Sequence, residues 1–260
     1  MPAPSRLAFL LLALAAVAES AGAQDFSFIP GTARYRITAE QKISQEMMGQ
    51  KQEASVNTTE LTSVILSQKA KDTLQFTITF DSIGITTGGA APPMDVSNLK
   101  GSTVMGAMSS RGKVYDLKAS VVSATAPQIA ESFRHFFVMM PKSVKAGQAW
   151  TDTTESKTSA QGMDITTTVV VNSTLVGDTT YAGQKAWKIQ RTSTIKLAGT
   201  GSGAMLSGSG SGAGTYYVSP RGLYFGGTST QESNATVTVA SQGLMIPIVN
   251  HGSFKVELIQ

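Results

Sequence analysis

Cysteine is absent from all 260 residues. Disulfides, thiolate nucleophiles and thiolate-bound metals are thereby excluded, and an ordinary apolar core has to hold the fold. Histidine is scarce, with only His135 and His251. Neither stands in a motif that supplies an orienting carboxylate, and two imidazoles without thiolates make a poor zinc set. Charged residues make up 15% of the chain and form no basic run, which argues against nucleic acid as a partner despite a net charge of +4. Long apolar runs are equally scarce: the one present is Leu7–Ala18.

Phosphate and nucleophile motifs are missing too. Gly208-Ser-Gly-Ser-Gly-Ala213 spells Gly-x-Gly-x-x-Ala, but strand-like Thr215-Tyr-Tyr-Val218 follows it where a dinucleotide site needs a helix. The serines of that run fall out of phase with Gly-x-Ser-x-Gly. Glu40 and Glu155 alternate with Lys42 and Lys157, which reads as cross-strand ion pairing on a wet face rather than as a glycosidase pair. The methionines form no Met-x-x-Met series that would hold Cu(I). The expectation is a protein that is not an enzyme, with no catalytic residue, no metal and no cofactor.

The apolar run follows Arg6 and precedes the small-x-small triplet Ala21-Gly22-Ala23. Charge, short apolar core and small-residue site in that order predict a secretory signal over residues 1–23. Twelve apolar residues reach about 18 Å as a helix, short of a hydrocarbon core of about 30 Å. No cysteine follows to carry a lipid. The expected product is a single β-rich domain, 24–260, free in a periplasm or outside the cell, with no stable membrane anchor.

What is plentiful is Thr, Ser, Gly and Val in period-two alternation. Leu74, Phe76, Ile78 and Phe80 alternate with polar residues, as do Trp187 with Ile189 and Phe254 with Val256 and Leu258. One buried and one wet face characterise antiparallel strands. About eleven are expected, in a large curved sheet that is either a half-barrel or two packed meanders. One segment departs from this period. Ile129, Phe133, Phe136, Phe137 and Met140 share one helical stripe, which predicts an amphipathic helix at about 126–140, capped by Thr125 and stopped by Pro141.

Two stretches read as mobile loops, Thr86–Asn98 and the Gly/Ser-rich Ala198–Gly214. An internal repeat is also suggested. Tyr35-x-x-Thr-x-Glu-x-Lys42 parallels Trp150-x-x-Thr-x-Glu-x-Lys157, and Arg111-Gly112 parallels Arg221-Gly222, at offsets of 110 to 115 residues. The copies would cover 31–120 and 147–232, with strands of 233–260 after them.

Pro141-x-x-x-Val144-x-x-Gly147-x-x-Trp150 and Gly214-Thr-Tyr-Tyr-Val-Ser-Pro-Arg-Gly-Leu-Tyr224 resemble segments of uncharacterised exported bacterial β proteins, many of them lipoproteins. A long antiparallel sheet with a Phe-rich helix is also similar to LolA/LolB-type periplasmic lipoprotein carriers. That resemblance implies an open half-barrel that holds acyl chains. The expected function is binding or carrying an apolar ligand, a lipid or acyl chain, lined by Phe133, Phe136, Phe137 and Met140. The alternative is a structural or assembly protein of the envelope acting through protein partners.

Overall fold

Alternation with period two runs much further along this chain than in an ordinary strand, and the strands follow it. The computed structural model describes residues 23–47, 49–91, 96–120, 126–160, 162–201 and 203–259. The signal segment and the Thr125 cap lie outside the described residues. After a two-residue strand, β1 (Gln24–Asp25), the chain enters β2 (Gly31–Met47), β3 (Gln50–Ala70) and β4 (Thr73–Gly89). The shorter β5 (Thr103–Ser109) and β6 (Val114–Ala119) complete this meander. A helix, α1 (Ala126–Ser132), and a short β7 (Ser143–Val144) lead to β8 (Ala149–Ala160). A second meander returns through β9 (Met163–Tyr181), β10 (Gln184–Gly201), β11 (Ala204–Val218), β12 (Tyr224–Val239) and β13 (Leu244–Leu258).

All eleven long strands join one antiparallel sheet in the order β6-β5-β4-β3-β2-β13-β12-β11-β10-β9-β8. The first and last strands, β2 and β13, pair in its middle, Tyr35 opposite Leu258 and Ala39 opposite Phe254. The sheet curls into a half-barrel. With 21 residues, β3 spans about 70 Å at about 3.3 Å per residue. Its neighbours are nearly as long, so the sheet is far taller than its core.

The two faces of each strand differ as the alternation predicts. On β2 the outward residues Arg34, Arg36, Glu40, Lys42 and Glu46 are exposed, while Ala33 and Tyr35 are buried. Glu155 and Lys157 are outward on β8, 3.6 Å apart; this pair lies along one strand, not across two as the Glu/Lys alternation suggested. Among the described residues no helix is long and apolar enough to cross a membrane.

Curling brings the concave face around on itself, and the upper half must be filled. The segment after α1 fills it. Phe133, Phe136, Phe137, Val138 and Met140 are all buried, Val138 and Met140 completely. This corrects the expected helix. Regular α-helix ends at Ser132, and the chain continues through turns closed three residues back, Phe133 N–H to Ala130 O and Phe136 N–H to Phe133 O, both 3.1 Å. The reason is the surroundings. One helical stripe serves a helix lying on a surface, whereas residues 136–138 are enclosed on all sides and each must find apolar contact. Outside bonds then replace the helical ones. Met140 N–H donates to Arg111 O at 2.8 Å, and the Trp150 indole N–H donates to Met139 O at 2.8 Å.

Two similar turns hold the N-terminal segment over this plug. Gly112 N–H donates to Ser109 O and Gly222 N–H to Ser219 O, both at 2.9 Å. Phe28 N–H donates to Ser110 O, and Ile29 N–H to Gly222 O. Gly222 has φ +85°, and a Cβ there would collide with the Ser27 carbonyl, so only glycine serves.

The Gly/Ser-rich stretch is a second correction: it is not a loop but the β10–β11 hairpin. Its glycines and serines alternate strictly, which is itself a strand pattern. Gly208, Gly210, Gly212 and Gly214 register with Ala235, Ser233, Gln231 and Ser229 on the concave side, while Ser207, Ser209 and Ser211 are exposed outside. Of the other expected loop, residues up to Gly89 are strand and 97–99 form a 3-10 turn, while 92–95 lie outside the described residues.

Phe137 is the centre of the plug, with ring centroids 5.6 Å from Phe28, 5.7 Å from Phe76 and 5.0 Å from Phe136. Phe137→Ala is expected to lose about 3–5 kcal/mol in urea unfolding. A loss under about 1 kcal/mol would mean that the plug is not the stabilising centre.

Candidate functional site

The plug fills only the upper part of the half-barrel. Beneath Phe133 and Phe136 the concave face bounds a cavity of about 590 Å³. Its size is ordinary for a small-molecule site. Strand parity decides which side chains enter it. Ile37, Val169, Val171, Ile195, Phe254 and Val256 face inward and give it apolar walls.

Gly212 and Gly214 form part of its floor. The glycine row on β11 also permits the curl. A Cβ on Gly210 would sit 2.6 Å from Glu232 O and 2.8 Å from Ser233 Cβ, and one on Gly214 2.7 Å from Thr228 O. Real Cβ atoms do not approach so closely, so any larger residue would push β12 away. The same residues that bend the sheet leave space at its bottom.

The expected lining residues separate into two sets. Phe133 and Phe136 line the large cavity. Phe137 reaches a smaller one of about 280 Å³, at the seam where β6 approaches β8. Met140 is fully buried and lines neither. The two histidines are on opposite faces of the sheet. His135 lines both cavities, and its pKa is lowered to about 4 by burial first and then by the positive charge of Arg191. His251 is exposed on the convex side, 3.9 Å from Glu232. Among the described residues no group of three His, Asp or Glu side chains could hold a metal.

Sequence reading passed over the charged groups of the cavity. Glu60 faces inward on β3, and burial pushes its pKa up to about 7. Arg191 faces inward on β10, with its guanidinium carbon 4.8 Å from the centroid of the Tyr216 ring. A signal for Arg191 existed. Trp187 and Ile189 are on the buried face, and counting on by two reaches Arg191 and then Ser193 and Ile195.

No protein-family model and no curated protein matches the sequence. Among solved structures, Pseudomonas aeruginosa OccK2 (OpdF) aligns with 7% identity over 90% of this chain and 100% of its own, at TM-score 0.29. A DUF1329 family protein from Desulfovibrio piger aligns with 10% identity over 88% of this chain and 86% of its own, at TM-score 0.22. A domain from Vibrio parahaemolyticus described as a putative outer membrane lipoprotein-sorting protein gives 9% identity over 88% and 84%, at TM-score 0.21. Scores this low carry no functional assignment, and function has to be argued from the site.

Two outcomes are expected from the site's construction. Gly210→Ala should cost about 1–3 kcal/mol of stability through overpacking, whereas Ser209→Ala on the outer face should stay within about 0.5 kcal/mol; equal effects in urea unfolding would refute the curl argument. Glu60 keeps its proton in the folded state up to about pH 7 but loses it near 4.5 when unfolded. Stability should therefore fall as pH rises through that window, by at most about 3 kcal/mol. Glu60→Gln should flatten this part of the pH–stability curve.

Proposed function

We propose that this protein binds an apolar ligand, such as a lipid or acyl chain, inside its half-barrel and carries it in the cell envelope. The observation that carries this reading is the unfilled concave face beneath Phe133 and Phe136, a cavity of about 590 Å³ with apolar walls. Val171 and Ile195 are buried, but Ile37, Val169 and Val256 are only half-buried, whereas a sheet built only for stability would cover them with a packing element. Here the plug stops short, and a hydrocarbon chain would supply the missing contact at about 25 cal/mol per Å² of apolar surface covered.

Two further features support the reading. The charged convex face suits a protein surrounded by water, so a bound chain would be shielded during transit. The N-terminal pattern of Arg6, an apolar core and Ala21-Gly22-Ala23 suits export. In this reading Phe133 and Phe136 touch the ligand, while Phe137 and Met140 hold the plug that positions them. The role is binding rather than catalysis. An assembly role through sheet edges has less support, because the edge strands carry Asp116 and Lys118 on β6 and Glu155 and Lys157 on β8. Charges there oppose strand addition.

Native mass spectrometry of the chain purified from its envelope fraction should show a bound apolar molecule, and the delipidated protein should take up a fluorescent fatty acid. Phe133→Trp, which adds bulk to the ceiling of the cavity, should lower that uptake at least tenfold. An empty protein that takes up nothing would sink the proposal.

A further inference from the structure

Arg191 is an unexpected residue for the inside of a cavity with apolar walls. It is half-buried, faces inward and lines both the large cavity and the seam cavity. Among the described residues no carboxylate is within ion-pair distance of it. The acidic groups nearby are engaged elsewhere: Glu131 is bound to Arg134 through both guanidinium and carboxylate forks, and Asp152 faces Lys113 at 3.8 Å. Glu60 is five strands away around the sheet.

The Arg191 guanidinium carbon lies over the Tyr216 ring, 4.8 Å from its centroid, a cation–π contact that stabilises the cation there. Its N–H donors make no hydrogen bond or ion pair with any described side chain, which leaves them available to a ligand. A guanidinium in a partly dry site, with its planar fork of donors unpaired, is the group that recognises an oxyanion by two parallel hydrogen bonds. His135, at the same end of the cavity, is neutral at physiological pH and adds no competing charge.

We infer that the ligand is an amphiphile with one oxyanion headgroup, carboxylate or phosphate, held by Arg191 against Tyr216. Its hydrocarbon chain would lie along Ile195, Val169 and Phe254 under Phe133 and Phe136. This rests on the reading of the cavity as an apolar-ligand site. It adds that the site selects by headgroup charge and not by apolar surface alone.

The test compares ligands that share a chain and differ at the head. Delipidated protein is titrated with hexadecanoate, hexadecyl phosphate, hexadecanol and hexadecylamine, each below its critical micelle concentration. The acids should bind at least tenfold more tightly than the alcohol, and the amine most weakly. A carboxylate–phosphate difference identifies which oxyanion the fork prefers. Arg191→Gln should remove the acid–alcohol difference and leave alcohol binding within about twofold, and Arg191→Lys should restore only part of it. Equal binding of acid and alcohol by the unaltered protein would overturn the headgroup inference while leaving apolar binding intact. No binding of any of the four would overturn the apolar-ligand reading itself. Because the headgroup series needs no variant, the outcome stands even if Arg191→Gln fails to fold.

Discussion

An eleven-stranded sheet that curls has to fill its own concave side, and the aromatic plug at 133–140 meets that requirement. Phe136 stands edge-on to Tyr35, Phe137 and Tyr224 at 5.0 to 5.4 Å, joining the central strand β2 to β12 across the hollow. Phe137 and Phe133 continue the contacts to Phe76 and Phe80 on β4. Without this bridge the upper strands would have one buried face with nothing on it. The register of both meanders, the position of the N-terminal segment and the ceiling of the cavity all follow from where these rings lie.

The glycine row on β11 performs the complementary task. Curvature needs a line where the inner face carries no side chain, and Gly208 to Gly214 provide it at alternate positions. A plug that fills the top and a hinge line that empties the bottom together leave a volume between them. The cavity is therefore a product of two different kinds of residue, bulky aromatics on one segment and absent side chains on another. Neither could produce it alone.

The charges inside this volume are arranged differently from those outside. On the convex face, acids and bases alternate in solvent and contribute little individually. Inside, Glu60 is protonated more readily than a free carboxyl, His135 is harder to protonate than a free imidazole, and the Arg191 guanidinium lies over the Tyr216 ring. Desolvation is the leading cause of both shifts. Among the described charges lining the cavity, Glu131 is paired with Arg134 while the Arg191 guanidinium has no ion-pair partner, which gives the cavity a polarity its apolar walls do not suggest.

The β class, the antiparallel arrangement and the inward or outward direction of most side chains were legible as period-two alternation, because parity along a strand is a local property. Leu74, Phe76 and Ile189 were read as buried-face residues on that basis, and the same counting would have reached Arg191 and Glu60. The Gly/Ser stretch was misread because composition was weighed above alternation. The end of α1 at Ser132 was not legible, since a helical stripe describes a surface contact and these rings are surrounded. By itself the sequence determined which face of each strand is apolar and which residues can bend it. Only the tertiary structure decided that β2 and β13 close the sheet centrally, that Phe133 and Phe136 border the large cavity while Phe137 reaches only the smaller one and Met140 neither, and that Arg191 looks into the large one. Those facts depend on how far the sheet curls, which is set by contacts between residues a hundred or more positions apart, such as the hydrogen bond from Tyr35 to the carbonyl of Tyr224.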